Sequence, residues 1–413
     1  MFSHSEVKRI REFRCKDGIV GEETNMSILS KNIELFKAKG KALDRNSIKA
    51  ELDWICEKLE KNIERFGTSY PSACATNGKY RIKGNDDWTN GFWTGMLWIA
   101  YEYSKKDIFK SIALKNIESF KDRLDKNYVV DHHDLGFLYS LSVVAGYKVT
   151  LDESFTPIII QAADKLISRF HDKGNFIQAW GNLNDPDEYR LIIDSLLNLP
   201  LLFMATKLTG DQCYKHIAEQ HFQQVTKTII REDASTYHTF YFDPATGEAS
   251  YGATHQGYTN SSCWARGQAW AILGLSMGFN YMLNHVDQKQ YEDITNYFIS
   301  KLSNGLVPYW DLTFTDEDNQ PLDSSAMAIA ACGLLEAQAS NMYEESASIA
   351  RGMIQVLREQ CTIKNDEGNE GILLHGVYAY TEGKGIDEPN LWGDYFYLEA
   401  LYRMFNPTWA TYW

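Results

Sequence analysis

Six segments of this chain share one design: a polar residue followed at once by a run that is apolar nearly all the way round a helix. They are DDWTNGFWTGMLWIAYEY from Asp86, HHDLGFLYSLSVVAG from His132, IDSLLNLPLLFMATKLTG from Ile193, SCWARGQAWAILGLSMGF from Ser262, DSSAMAIAACGLLEAQA from Asp323 and LWGDYFYLEALYRMF from Leu391. They recur at intervals of roughly fifty to seventy residues, room for one helical hairpin plus loops per unit. Between them lie helices with a single apolar stripe, such as SIKAELDWICEKLEKNIERF from Ser47 and CYKHIAEQHFQQVTKTIIR from Cys213.

A helix apolar on every side has to be surrounded by protein, whereas one with a single stripe lies outside. Six of each, alternating, predict an all-α fold: a six-hairpin α/α barrel, or α/α toroid, with inner and outer helix rings. Antiparallel pairing of consecutive helices then starts every inner helix at one end, so their leading polar residues share a mouth. An open solenoid would have shorter, more uniform repeats. It would not need the long loops YFDPATGEASYGATHQGYTNSS from Tyr241 and YWDLTFTDEDNQPLDSS from Tyr309. Loops of that length in a compact domain are usually functional. No composition break marks a second domain, so residues 45–413 are expected to form a single catalytic domain. Residues 1–44 are expected to be a partly irregular N-terminal extension, in which Met26 offers an alternative start.

The formal net charge of −14 argues against a general nucleic-acid binder, which needs basic surface. The 7 cysteines contain no CxxC pair and read as reduced thiols, and no stretch has the length of a membrane span, so a cytoplasmic protein is expected. The 11 Trp and 24 Tyr suit a sugar-like ligand, although most aromatic residues in any protein are core.

Asp134 stands where a helix N-cap belongs, and capping explains an aspartate there completely. Asp194 opens the next inner helix in the same way, and two carboxylates crowded at one mouth can split into a neutral acid and an anion. Acid-assisted glycoside chemistry uses such a pair. A metal site built from His132, His133 and Asp134 is disfavoured, because consecutive residues point in different directions and no further ligand pattern completes a shell. No metal and no cofactor are expected, and His133 reads better as a partner for an anion or for Asp134.

Trp264, Arg266 and Trp270 begin the fourth inner helix, with His255 and Gln256 just before it. A guanidinium flanked by indoles can pair with a carboxylate while the rings stack on a sugar, and interior packing is the competing reading. His238, within TYHTFYFD, and Trp88 and Trp180, beside turns, are candidates for the same cleft. EGKGID from Glu382 lacks P-loop spacing, and FTDEDNQPLD lacks the glycine and final glutamate of a calcium loop.

Taken together and in this order, WTNGFWTGMLW, HHDLGFLY, DSLLNLPLL, YHTFYFDPATG, THQGYTNSSCWARGQAW and WGDYFYLEAL closely resemble the unsaturated glucuronyl hydrolases of glycoside hydrolase family 88. The resemblance spans nearly the whole chain after the extension. It implies removal of the 4,5-unsaturated uronic acid from the non-reducing end of oligosaccharides made by polysaccharide lyases, by hydration of the C4=C5 vinyl ether. The expected substrates are chondroitin, hyaluronan or heparin-type disaccharides, and the expected state is monomer or homodimer.

By the same resemblance Asp194 is the general acid/base and Asp134 the second essential aspartate. Trp88, His133, Trp180, His238, Gln256, Trp264, Arg266 and Trp270 match the sugar-binding set. Unsaturated rhamnogalacturonyl hydrolases share the barrel and are the nearest competing family, and a noncatalytic carbohydrate-binding toroid is the alternative from another class. Streptococcal-type members that favour sulfated disaccharides carry serines and a lysine before their GKGxDE motif. Here Gly376, Ala379 and Thr381 occupy that stretch, so unsulfated or differently sulfated substrates are expected.

Overall fold

The structure is a computed structural model, and residues 27–282 and 287–413 are described. Met26 and the rest of residues 1–26 lie outside the described residues. Of the remaining extension, residues 27–40 form a helix (α1). It is joined to later outer helices by Asn32, which donates to the Ile299 carbonyl, and by a Lys39–Glu359 ion pair.

The striped segments fold as α2 (Arg45–Phe66), α4 (Asp107–Asp125), α7 (Thr156–Ile167), α9 (Gln212–Thr228), α11 (Gln288–Ser300) and α13 (Ser346–Gln360). In α2 the buried Ile48, Leu52, Ile55, Leu59, Ile63 and Phe66 recur every three or four residues, so one face packs inward. Asp44, Asp211 and Asp287 cap three of these helices through side-chain bonds to backbone N–H groups.

The apolar segments fold as α3 (Asn90–Ser104), α5 (Leu135–Tyr139) continuing through a π turn into α6 (Ala145–Thr150), α8 (Leu199–Thr209), α10 (Ala265–Tyr281), α12 (Ser324–Ser340) and α14 (Leu391–Phe405). Every residue from Ala265 to Gly278 in α10 is buried, which a helix achieves when neighbours stand on all sides. Inner helices pack in chain order, α10 meeting the preceding hairpin through the turn Ile193–Asn198 and through Tyr281 stacked on Phe203 of α8 at 4.6 Å, and α14 packs on α3. Phe137, Trp270, Phe396 and Trp413 meet between them, with Trp413 stacked on Phe396 at 6.0 Å. Lys148 Nζ donates to the carbonyls of Thr411, Tyr412 and Trp413 and holds this tail in place. No helix among the described residues is long and apolar enough to cross a membrane.

The described residues are mostly helical, as the all-α reading expects, and short strands are added to the helices. Short antiparallel strands sit beside the starts of the inner helices: Arg190–Ile192, Thr239–Phe242 and Ala249–Ala253 form a three-stranded sheet, and Gly376–Ala379 pairs with Lys384–Glu388. Strands of three to five residues span too few alternations to stand out in a sequence.

At the mouth the helices approach too closely for side chains. A Cβ on Gly91 would collide with the Phe137 carbonyl, and one on Gly136 with the backbone of Asn198, whose Oδ1 accepts from the Phe137 N–H at 3.1 Å. Gly136→Ala is therefore expected to lower stability by about 1–3 kcal/mol, the usual cost of overpacking, in denaturant titrations. Gly84→Ala, where a Cβ would meet no atom within 4 Å, should leave stability unchanged.

Candidate active site

Asp134 is carried by a loop pinned from the outer ring. Arg123, in the last turn of α4, donates to Asn85 Oδ1 and to the carbonyls of Asp87, Tyr128 and Val129. Val129 has φ +48°, a left-handed conformation that costs a β-branched residue roughly 1–3 kcal/mol and persists only where neighbours enforce it. Here Arg123 and His132 both bind its carbonyl. Asp131 turns away to pair with Lys165 at 2.5 Å.

The capping role expected of Asp134 is not observed. It occupies the N-cap position of α5, yet its side chain makes no capping bond. Its carboxylate instead lies 3.3 Å from His133 Nε2 and 3.2 Å from His132 Nδ1. Asp194 is likewise no cap: it lies inside a 3₁₀ turn, Ile193–Asn198, leading into α8. The side-chain caps at inner-helix starts come from Asp323 on α12 and Asn390 on α14.

His133 Nε2 also lies 3.5 Å from Asp194 Oδ1, so one imidazole edge faces both carboxyl groups. One oxygen of each carboxyl and a ring nitrogen of His133 fall within 4.8 Å of one another. His133 itself is buried, whereas the Asp134 and Asp194 side chains are 15% and 17% exposed, so a ligand entering the mouth reaches the acids.

These surroundings drive the groups apart. Burial pushes the Asp194 carboxyl well above the usual carboxylate range, and the nearby Asp134 charge adds to the rise. Burial also acts to raise Asp134, but His133, His132 and Arg123 together hold it below its ordinary value. Burial lowers His133 to about 4, leaving a neutral ring near neutral pH. The two carboxyl groups are thus driven apart, Asp194 toward the protonated form and Asp134 toward the ionised one. The three groups could also offer ligand atoms to a cation. The trio weighed from sequence is not available, because His132 Nδ1 accepts the Asp134 N–H at 3.1 Å.

The remaining candidates divide by depth. The N–H of His133 donates to the Ala179 carbonyl, next to Trp180, and the N–H of Ile193 donates to the His238 carbonyl, which brings those residues beside the acids. His238 Nδ1 accepts from the backbone N–H groups of His255 and Gln256 at 2.9 and 3.3 Å, which assigns its proton to Nε2. Trp180 is half-buried, with the Arg190 guanidinium 4.7 Å over its ring. Trp88 is half-buried, stacked on Trp392 at 5.4 Å, and donates to Tyr378 Oη.

Arg266 is flanked by indoles, but by those of Trp264 and Trp392 at 4.4 and 4.8 Å, without Trp270. Its bonds go to the protein: Asp323 Oδ2 at 3.0 Å, Gln256 Oε1, and the carbonyls of Val377 and Tyr378. The residue ties α10, α12 and the Gly376–Glu388 hairpin together beneath the mouth. Trp264 is 5% exposed and covered by Arg266 and His238. Trp270 is 1% exposed and packs on Phe137 and Phe396 in the core, so its expected place on the sugar-facing surface is corrected. Sequence reasoning missed Arg123, Arg190, Asp323, Tyr378 and Trp392; the starts of the inner segments at Asp323 and Leu391 were the signal closest to them.

The sequence profile of Glycosyl Hydrolase Family 88 matches residues 62–401. An unsaturated chondroitin disaccharide hydrolase of Streptococcus pneumoniae is 46% identical over 379 residues, covering 90% of this chain and 95% of that protein. The crystal structure of an unsaturated glucuronyl hydrolase from Streptococcus agalactiae superimposes with a TM-score of 0.85 at 44% identity, covering 90% of this chain and 94% of its own. A mutant form of that enzyme, complexed with dGlcA-GalNAc6S, gives a TM-score of 0.78 at 41% identity over the same shares. The chain belongs to glycoside hydrolase family 88 and is a glycoside hydrolase.

Burial also lowers His221, to about 3, and pushes His238 well below its usual value. All three buried histidines are neutral when folded, so as pH falls below about 6.5 the unfolded chain binds protons first. These histidines make stability decline below that pH by up to about 4 kcal/mol per pH unit for three protons, while Asp194 and Asp394, whose carboxyls burial raises, oppose that slope because the folded chain keeps their protons longer. Denaturant titrations at pH 7.5 and pH 5 on the protein and on His221→Gln check this: the variant should lose less stability on acidification, and an equal loss in both would contradict the assignment.

Proposed function

We propose that the chain releases the 4,5-unsaturated uronic acid from the non-reducing end of lyase-generated glycosaminoglycan-type oligosaccharides, with Asp194 as general acid/base and Asp134 as its charged companion. The carrying observation is the pair of reachable carboxyl groups within 4.8 Å beside His133, with surroundings that push Asp194 up and Asp134 down. Protonated Asp194 delivers its proton to C4 of the vinyl ether. Positive charge then develops at C5 and the ring oxygen, where the Asp134 carboxylate stabilises it. Water attacks C5 as Asp194, now a carboxylate, takes its proton. The C5 hemiketal opens by breaking its bond to the ring oxygen, leaving a ketone at C5 and a hemiacetal at C1. Collapse of that hemiacetal expels the neighbouring sugar.

The half-buried Trp88 and Trp180, with His133, His238 and Gln256, are assigned to holding the sugar, and Arg266 and Trp264 to fixing the wall behind it. The packing of inner segments in chain order, and of α14 on α3, supports a closed six-hairpin α/α barrel as the single domain that carries this site. Six unpaired cysteines among the described residues suit a cytoplasmic reaction. Gly376 and Ala379 are buried, and the Thr381 hydroxyl donates to the His255 carbonyl, which supports substrates without a sulfate docked at that stretch.

Loss of the conjugated uronate's ultraviolet absorbance measures turnover, and no loss with any unsaturated chondroitin or hyaluronan disaccharide would sink the proposal. Asp194→Asn should abolish turnover while leaving folding and disaccharide binding intact; a variant that still turns over rules Asp194 out as the acid. The kcat/KM profile should fall on the alkaline side as Asp194 loses its proton and on the acid side as Asp134 gains one. A rate that keeps rising with pH would contradict the acid role.

A further inference from the structure

The long loop after Tyr241 is only partly used by the site above. His255 and Gln256 give their N–H groups to His238, but the loop continues on both sides to two tyrosines, Tyr251 and Tyr258, each 56% exposed. Neither ring floats free. Tyr251 is stacked on Tyr241 at 4.8 Å with an interplanar angle of 13°, and Tyr241 Oη in turn accepts from Arg190, on the strand that leads into Asp194. Tyr258 packs on Phe314 at 4.9 Å, and its N–H donates to Oδ2 of the fully buried Asp311.

The two rings therefore have fixed backing and open outer surfaces, at positions set by the site itself. Tyr258 follows His255 by three residues and Tyr251 precedes it by four, which limits them to about 11 and 14 Å from His255 along the chain. Below the acids the way is filled by Phe137, Trp270, Phe396 and Trp413, so an oligosaccharide held by its non-reducing end extends outward, on the side where His255 sets this loop edge-on against Trp180 at 5.6 Å.

We propose that Tyr251 and Tyr258 form an outer subsite that stacks on the sugars beyond the first glycosidic bond and favours longer unsaturated oligosaccharides over disaccharides. Rigid, half-exposed aromatic faces suit pyranose rings because they bury C–H surface at small entropic cost. The inference rests on the proposed function for the identity of the ligand.

The test measures binding of an unsaturated disaccharide and tetrasaccharide from one polysaccharide by calorimetry, using the Asp194→Asn protein so that neither is consumed. Turnover by the unmutated enzyme is followed separately and reports on the proposed function alone. The tetrasaccharide should bind tighter than the disaccharide, and Tyr251→Ala and Tyr258→Ala should each cut that advantage about 3- to 10-fold. Tyr251→Phe and Tyr258→Phe, which keep the rings, should restore it. No tetrasaccharide advantage, an advantage unchanged by both alanine variants, or equal weakening for both ligands would overturn the subsite.

Discussion

The contact of Gly136 with Asn198 sets what the rest of the molecule can do. Helices normally stand 8–10 Å apart, held off by their side chains. Where glycine removes the side chain, at Gly91 and Gly136, three inner helices converge at their starts. That convergence places the residue two positions before Gly136 near the one four positions before Asn198, namely Asp134 and Asp194. Packing thus supplies the electrostatics: the carboxyl pair exists because backbones meet, and burial, with the Asp134 charge beside it, pushes Asp194 upward.

A second layer keeps the pair from relaxing. Arg266 and Asp323 form an ion pair buried within the fold, and such pairs contribute little net stability compared with apolar packing. Their value here is geometric, since the guanidinium also fixes the hairpin carbonyls of Val377 and Tyr378 and the amide of Gln256. Arg123 does the same for the loop before Asp134. Both arginines act through what they hold still.

Much of this was legible beforehand, and the misreadings have physical causes. Inner and outer helices were distinguishable because burial on every side and on one side leave different periodicities. Asp134 and Asp194 stood out as polar starts of apolar runs. Their capping role failed because Asp134 turns its carboxylate toward His133 and Asp194 lies inside a 3₁₀ turn and not at a helix start. Trp270 was misplaced because it shares a helix face with Arg266, four residues earlier, yet sits about 6 Å deeper along the helix. Arg190, Tyr378 and Trp392 reach the site from short strands, a hairpin and the last helix, and contacts between such distant segments leave no local pattern.

The tail residue Trp413, held through Lys148, has a consequence for how a polymer end is treated. With Phe137, Trp270 and Phe396 it forms an end stop beneath the acids, made from the same rings that hold the fold together. Under the proposed function, that floor is what a chain entering from the mouth would meet, and core side chains would set how deep its end reaches. Changing which bond is cleaved would mean rebuilding the core, whereas changing which outer sugars are preferred would mean altering only surface loops.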